Sequence, residues 1–186
     1  MNRFTVTALP LEGLKVIERQ KLGDSRGFLT RIFCTEELAA AGWTKAIAQL
    51  NLTHTAKRGT VRGMHFQLPP HAEMKLVSCI RGEILDVAVD LRSGSSTFLS
   101  WHAERLSADN GRALLIPEGF AHGFQTLSDD VELLYCHSDF YNREAEAGFN
   151  LLDERLAIPW PLRIVEISTR DAHHPVISTQ YEGVRL

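Results

Sequence analysis

The sequence predicts an all-β fold, a sandwich or closed barrel. Apolar runs of strand length recur along the chain, turn residues separate them every eight to twelve positions, and a single segment carries clear helix signals. Taken in order, a strand is expected at 13–19. It is followed by a short N-terminal helix over TEELAAAG, Thr35 to Gly42, with Thr as N-cap, acids in the first turn, an alanine-rich body and a terminating Gly. Further strands are expected at 46–53, 59–67, 75–81, 84–91, 97–106, 112–116, 121–126 and 131–138. The turns between them include Arg81-Gly82, SGSS (Ser93 to Ser96) and ADNG (Ala108 to Gly111). Alternation is clearest in ILDVAVDL, Ile84 to Leu91. There Leu85, Val87, Val89 and Leu91 share one face, and Asp86 and Asp90 share the other with Ile84 and Ala88. From about 153 the chain carries three of its seven prolines and reads as an irregular C-terminal extension wrapping the core.

A chain of 186 residues suits one domain, 1–186, and a domain of that size buries roughly 70% of its unfolded surface without disulfides. Twenty basic residues against 23 acidic ones, net −3, with no Lys/Arg run, argue against nucleic acid or anionic membrane and leave a small-molecule ligand open. Cys34, Cys79 and Cys136 form no Cys-x-x-Cys pair, which points to reduced thiols in a cytoplasmic protein. The N-terminus lacks a continuous apolar stretch, and no run approaches the ~18 apolar residues of a membrane span, so neither export nor membrane insertion is expected.

Polar residues that alternate onto the interior of a barrel must find partners or a ligand. RGMHFQ (Arg62 to Gln67) and PEGFAHG (Pro117 to Gly123) each place a histidine in such a position. The spacing Gly111-x5-Pro117-x-Gly119-x2-His122 resembles the second characteristic motif of the cupin superfamily, small jelly-roll barrels of the double-stranded β-helix type. Three readings of His65 and His122 are open. Each is a hydrogen-bonded core histidine; or they belong to a metal set with His71 and Glu73; or His65 is a general base. The metal set is imperfect, because Gln67 stands where metal-holding cupins place a second imidazole and Gln is a poor ligand. As a base, His65 needs a carboxylate to fix its tautomer, and Asp86, Asp90 and Asp171 are the candidates. Strict alternation would set Arg62 and His65 on opposite faces, so a β-bulge at Gly63 is predicted.

RGMHFQ from Arg62, MKLV from Met74, RGEILDVAVDLR from Arg81, IPEGFAHGF from Ile116, Leu134-Tyr135, and STRD from Ser168 with Pro175 resemble, in order and spacing, the dTDP-4-dehydrorhamnose 3,5-epimerases. The resemblance runs from DSRGF (Asp24 to Phe28) to Pro175. It implies a cupin jelly roll that inverts C3 and C5, or C3 alone, of a nucleoside-diphosphate 4-keto-6-deoxyhexose, with no metal or cofactor. It further implies His65 as base, Asp171 as its orienting carboxylate, Tyr135 as the acid across the ring and Lys75 as the cation at the enolate oxygen. Arg62 and Arg26 would meet the diphosphate; Phe28, Gln49, Asn51, His122 and Phe140 would line the nucleotide or sugar. A homodimer is implied too, with the run Phe4 to Thr7 as a suitable edge strand. Arg31, Leu50, Phe140 and Ser78 depart from the family pattern around the nucleotide, which opens the choice of base, for example a CDP sugar. From other classes, a metal-dependent cupin oxygenase or isomerase and a non-catalytic sugar-nucleotide binder stand as alternatives.

Overall fold

A computed structural model describes residues 2–186, and its regular structure is almost wholly antiparallel strand. In chain order these are β1 (Phe4–Ala8), β2 (Lys15–Arg19), β3 (Lys21–Asp24), β4 (Gly27–Thr30), helix α1 (Thr35–Ala39), β5 (Gln49–Thr55), β6 (Val61–Gln67), β7 (Lys75–Arg81), β8 (Glu83–Asp90), β9 (Trp101–Ser107), β10 (Arg112–Ile116), β11 (Phe120–Thr126), β12 (Val131–His137), β13 (Glu146–Gly148) and a helical turn α2 (Thr169–Ala172). Two sheets face each other. One has the order β1-β2-β10-β7-β12-β5 and the other β13-β6-β11-β8-β9, while β3 and β4 pair only with one another. The order is jelly-roll-like, since sequence neighbours repeatedly fall in opposite sheets.

The period-two pattern of each strand divides its side chains between two apolar layers. On β8, Ile84 and Ala88 pack between the sheets with Val16, Val77, Leu114 and Phe124. Val87 and Val89 point the other way, onto a layer with Leu151, Leu156, Ile158, Ile177 and Val184 of the C-terminal extension. That extension has almost no regular structure, so its attachment rests on these buried side chains, each worth about 1.5–3 kcal/mol. Two indole N–H groups add to it: Trp101 donates to the Leu156 carbonyl and Trp160 to that of Leu151. On the outer face of the six-stranded sheet, α1 and the residues after it bury Leu38, Ala41 and Trp43 against Ile17, Leu76 and Ala113.

Several boundaries differ from the sequence reading. The helix is shorter, with Cys34 rather than Thr35 at the N-cap and no side-chain cap. The strand expected from 97 begins at Trp101, because the Asp90 carboxylate draws the preceding segment into a turn. It accepts from the Ser95 and Thr97 hydroxyls and from the Arg92 guanidinium, and Leu99 adopts a positive φ. The β3–β4 hairpin, closed by Gly27 and an exposed Arg26–Asp24 pair, was not expected, nor was β13. Among the described residues no helix is long and apolar enough to cross a membrane. All three cysteines are free, with Cys79 and Cys136 buried and Cys34 partly so.

Candidate active site

A cavity of about 590 Å³ opens between the two sheets. Its wall from the five-stranded sheet carries Arg62 and His65 on β6 and His122 on β11; the opposite wall carries Asn51 and Thr53 on β5, Lys75 on β7, and Tyr135 and His137 on β12. Residues 168–171 close one side.

The bulge expected at Gly63 is present. His65 pairs with His122 and Arg62 with Phe124, so three steps on β6 oppose two on β11, and Arg62 and His65 both reach the cavity. Glycine is required for this crossing. Gly63 has φ +134°, and a Cβ there would lie 2.6 Å from Gly123 Cα; a Cβ on Gly123 would lie 2.8 Å from the Arg62 carbonyl. The Gly63 N–H also donates to Asp171 Oδ2 at 3.2 Å.

Asp171 Oδ1 sits 2.8 Å from His65 Nε2. Of the three carboxylates considered from sequence, it alone is on His65. Asp90 is consumed by its turn, and Asp86 lies 2.6 Å from His122 Nε2. Asp171 lies in the polar segment Thr169 to Ala172, where an aspartate is usually exposed, yet it is 2% exposed. The turn docks because Ser168 caps it, its hydroxyl accepting the Asp171 N–H at 3.0 Å, which aims the carboxylate inward. Burial pushes the Asp171 carboxyl up, but the hydrogen bond and charge of His65 and the Gly63 N–H prevail and hold it at about 2. An ionised Asp171 fixes the proton of neutral His65 on Nε2 and leaves the lone pair on Nδ1.

On the facing wall, burial and then the negative Asp86 push the Tyr135 phenol well above its ordinary value, so it stays protonated. Its ring meets His122 edge-on at 5.8 Å and stacks on His137 at 5.8 Å. Lys75 is buried, with Nζ 3.0 Å from Glu73 Oε1, while Glu73 Oε2 lies 2.8 Å from His137 Nδ1. The far side of His137 meets Asn51, whose amide stands 3.3 Å from Nε2 and whose carbonyl accepts from Gln49. His137 was not singled out in the sequence, although its position two residues after Tyr135 puts both on one face of β12. Arg170 and Glu146, ion-paired at 2.9 Å on the cavity rim, were also missed, since nothing local marks them.

The metal set considered from sequence does not assemble. His71 pairs with Asp139 at 3.4 Å on a loop, and Glu73 is on the wall opposite His65 and His122. Gln67 instead pins the loop after β12: its amide donates to the His71 and Phe140 carbonyls and its Oε1 accepts the Asn142 N–H. Four other candidates, Arg26, Phe28, Gln49 and Phe140, do not line the cavity of the single chain. Arg26 and Phe28 stand on the β3–β4 hairpin, which pairs only with itself, and Phe140 is 64% exposed. Gln49 stands behind the lining, its amide donating to Asn51 and its Oε1 accepting the Tyr141 N–H. Arg31 pairs with Glu37 and Ser78 with Arg19, so both departures are absorbed locally.

A family model described as dTDP-4-dehydrorhamnose 3,5-epimerase matches residues 8–179. A dTDP-4-dehydrorhamnose 3,5-epimerase of Shigella flexneri is 42% identical, covering 84% of this chain and 86% of its own. A dTDP-4-dehydrorhamnose 3-epimerase of Streptomyces niveus is 39% identical over 88% of this chain and 79% of its own. Among solved structures, the dTDP-4-dehydrorhamnose 3,5-epimerase of Bacillus anthracis with TDP and PPi bound superposes with a TM-score of 0.91 at 39% identity, covering 94% of this chain and 99% of that one.

Proposed function

The chain belongs to the dTDP-4-dehydrorhamnose 3,5-epimerase family, and from that premise we propose that it inverts C3 and C5 of a nucleoside-diphosphate 4-keto-6-deoxyhexose in deoxysugar biosynthesis. The observation that carries the assignment of roles is the His65–Asp171 pair on one sheet, 2.8 Å apart, with Tyr135 on the other sheet of the same cavity. A carbon next to a ketone becomes acidic because its carbanion is delocalised as an enolate, so inversion needs a base on one face, an acid on the other and positive charge at the oxygen.

His65 takes the proton, with ionised Asp171 steadying the imidazolium that forms. Lys75 faces the growing charge on the C4 oxygen, and Tyr135, kept protonated by its burial, returns a proton to the opposite face. Arg62, exposed at the mouth of the cavity, meets the diphosphate as a planar fork. Among the described residues the buried hydroxyls of Thr55 and Thr60, both on the cavity lining, have no hydrogen-bond partner, which suits a ligand rich in hydroxyls and carbonyls. Inversion at both centres is the outcome named for the S. flexneri and B. anthracis proteins.

A homodimer is part of the same reading. It is supported by the two edges of the six-stranded sheet, β1 with its open ladder and β5 with exposed Leu50 and Leu52, and by exposed Phe28 and Leu29 on the hairpin. A cytoplasmic setting is supported by three free thiols. The test is NMR detection of deuterium entry at C3 and C5 in D₂O over a panel of 4-keto sugar nucleotides that differ in base. No exchange with any of them would remove the proposal.

A further inference from the structure

One imidazole beside the proposed base takes part in none of these steps. His174 follows α2, and its ring meets His65 edge-on with centroids 5.5 Å apart. It rests directly over Gly148, where a Cβ would come within 2.6 Å of the ring, so the backbone there leaves room for an imidazole. Its Nε2 is buried, makes no hydrogen bond among the described residues, and lies 3.9 Å from Asp171 Oδ1. Taken with the 2.8 Å contact of Asp171 and His65, the ligand-type atoms of His65, Asp171 and His174 fall within 4.8 Å of one another.

Two imidazole nitrogens and one carboxylate oxygen are the donors that first-row divalent ions accept on one side of their coordination shell, with the remaining positions open to solvent. Bonds of about 2.0–2.1 Å around a tetrahedral ion put ligand atoms roughly 3.3 Å apart, so the three side chains need adjustments of only about 1 Å. Arg170 opposes a cation here, with Nη2 3.4 Å from His65 Nε2 and Nε 3.5 Å from Asp171 Oδ1. Its side chain is 55% exposed and already paired with Glu146, so it can turn outward on that tether.

We propose that His65, Asp171 and His174 form a binding site for a divalent transition ion of the Zn²⁺ type, and that an ion held there silences the enzyme: bound at His65 Nε2 it moves the ring proton to Nδ1 and so removes the lone pair that would take the proton from the sugar. Arg170 acts as the electrostatic guard that keeps this affinity low. Binding stands apart from the epimerase reading; the inhibition rests on it.

The experiment treats the full chain with chelator, desalts it, and follows Co²⁺ titration by ligand-field absorption and displacement by Zn²⁺, with deuterium exchange measured on the same samples. One Co²⁺ per chain is expected, displaced by Zn²⁺, with exchange lost in proportion to occupancy and restored by chelator. His174→Gln, which keeps the bulk over Gly148 but offers a poor ligand, weakens binding at least about tenfold while metal-free exchange persists. Arg170→Gln tightens binding. An absent cobalt spectrum, or an affinity unchanged in His174→Gln, overturns the site. Binding with the expected variant pattern but with exchange unaffected overturns the inhibition. Metal binding in a chain that exchanges no sugar nucleotide keeps the site and removes the epimerase reading.

Discussion

Asp171 Oδ1 lies 2.8 Å from His65 Nε2 although 106 residues separate them in the chain. The contact is reached because the bulge at Gly63 turns His65 inward and presents the Gly63 N–H to the second carboxylate oxygen, while the Ser168 cap aims Asp171 from the other side. Replacing the base, His65→Ala, is expected to lower deuterium exchange roughly 10²- to 10⁴-fold. Asp171→Asn keeps the shape but lets the imidazole choose the wrong tautomer, so kcat falls with little change in KM. Steady-state kinetics on both variants checks this, and equal KM increases without loss of kcat would deny the dyad its role.

Tyr135→Phe separates proton removal from inversion. With the phenol gone, His65 can still take a proton and return deuterium to the face it came from, so label enters the sugar without the epimerised product. NMR of the recovered sugar nucleotide distinguishes the two outcomes, and inversion at the native rate would exclude Tyr135 as the acid.

Glu73 stands between Lys75 and His137, and despite burial its partners hold its carboxyl below the ordinary value. Glu73→Gln leaves the Lys75 ammonium buried without its counter-ion, a change that costs about 3–5 kcal/mol in comparable buried pairs. Urea unfolding is expected to show that loss, together with a fall in kcat as the Lys75 ammonium loses the contact that positions it.

Acid stability has a defined window. Burial opposes ionisation of Asp90, but Arg92, Ser95 and Thr97 win and depress its pKa from 3.8 to about 2; Asp171 is depressed over the same range. A depressed carboxylate stabilises the fold fully above its unfolded pKa and ceases to do so as pH falls through the folded one, by on the order of 1–2 kcal/mol for each such group. Asp90→Asn is therefore expected to cost stability at pH 7 and progressively less between pH 4 and pH 2. Unfolding midpoints of wild type and variant should converge there; parallel curves would contradict the cause given.

Gly63→Ala places a Cβ 2.6 Å from Gly123 Cα at φ +134°, so it combines a backbone clash with an unfavourable conformation. A loss above about 2 kcal/mol is expected, with exchange activity falling further than stability because His65 loses its aim. A thermal melt with residual exchange measured well below the midpoint resolves the two effects.

Much of this molecule was legible in one dimension. Period-two alternation located nearly every strand of the two main sheets, often to within a residue or two, because burial of one face per strand imposes that spacing whatever the partner. The Gly63 bulge could be inferred as well, since Arg62 and His65 can share a cavity only if one residue is taken out of register. The β3–β4 hairpin was not legible, because Phe28 and Leu29 are exposed and bury no face that would set a pattern.

Tertiary structure alone decided which carboxylate meets which imidazole. Asp86, Asp90 and Asp171 are chemically equivalent as text, and the sequence by itself bounded the choice to them without ranking them on physical grounds. Folding separates them by partner: one on His122, one buried under the turn it shares with Arg92, one beneath His65. The same holds for His137, made part of the cavity by Glu73 on the strand approach beside it, and for His174, brought to the dyad by a turn with no periodicity of its own. Alternation records which face a residue takes within its own strand. Hydrogen-bond and ligand geometry depends on distances across sheets and between the barrel and the tail, and those are set only when the whole chain packs.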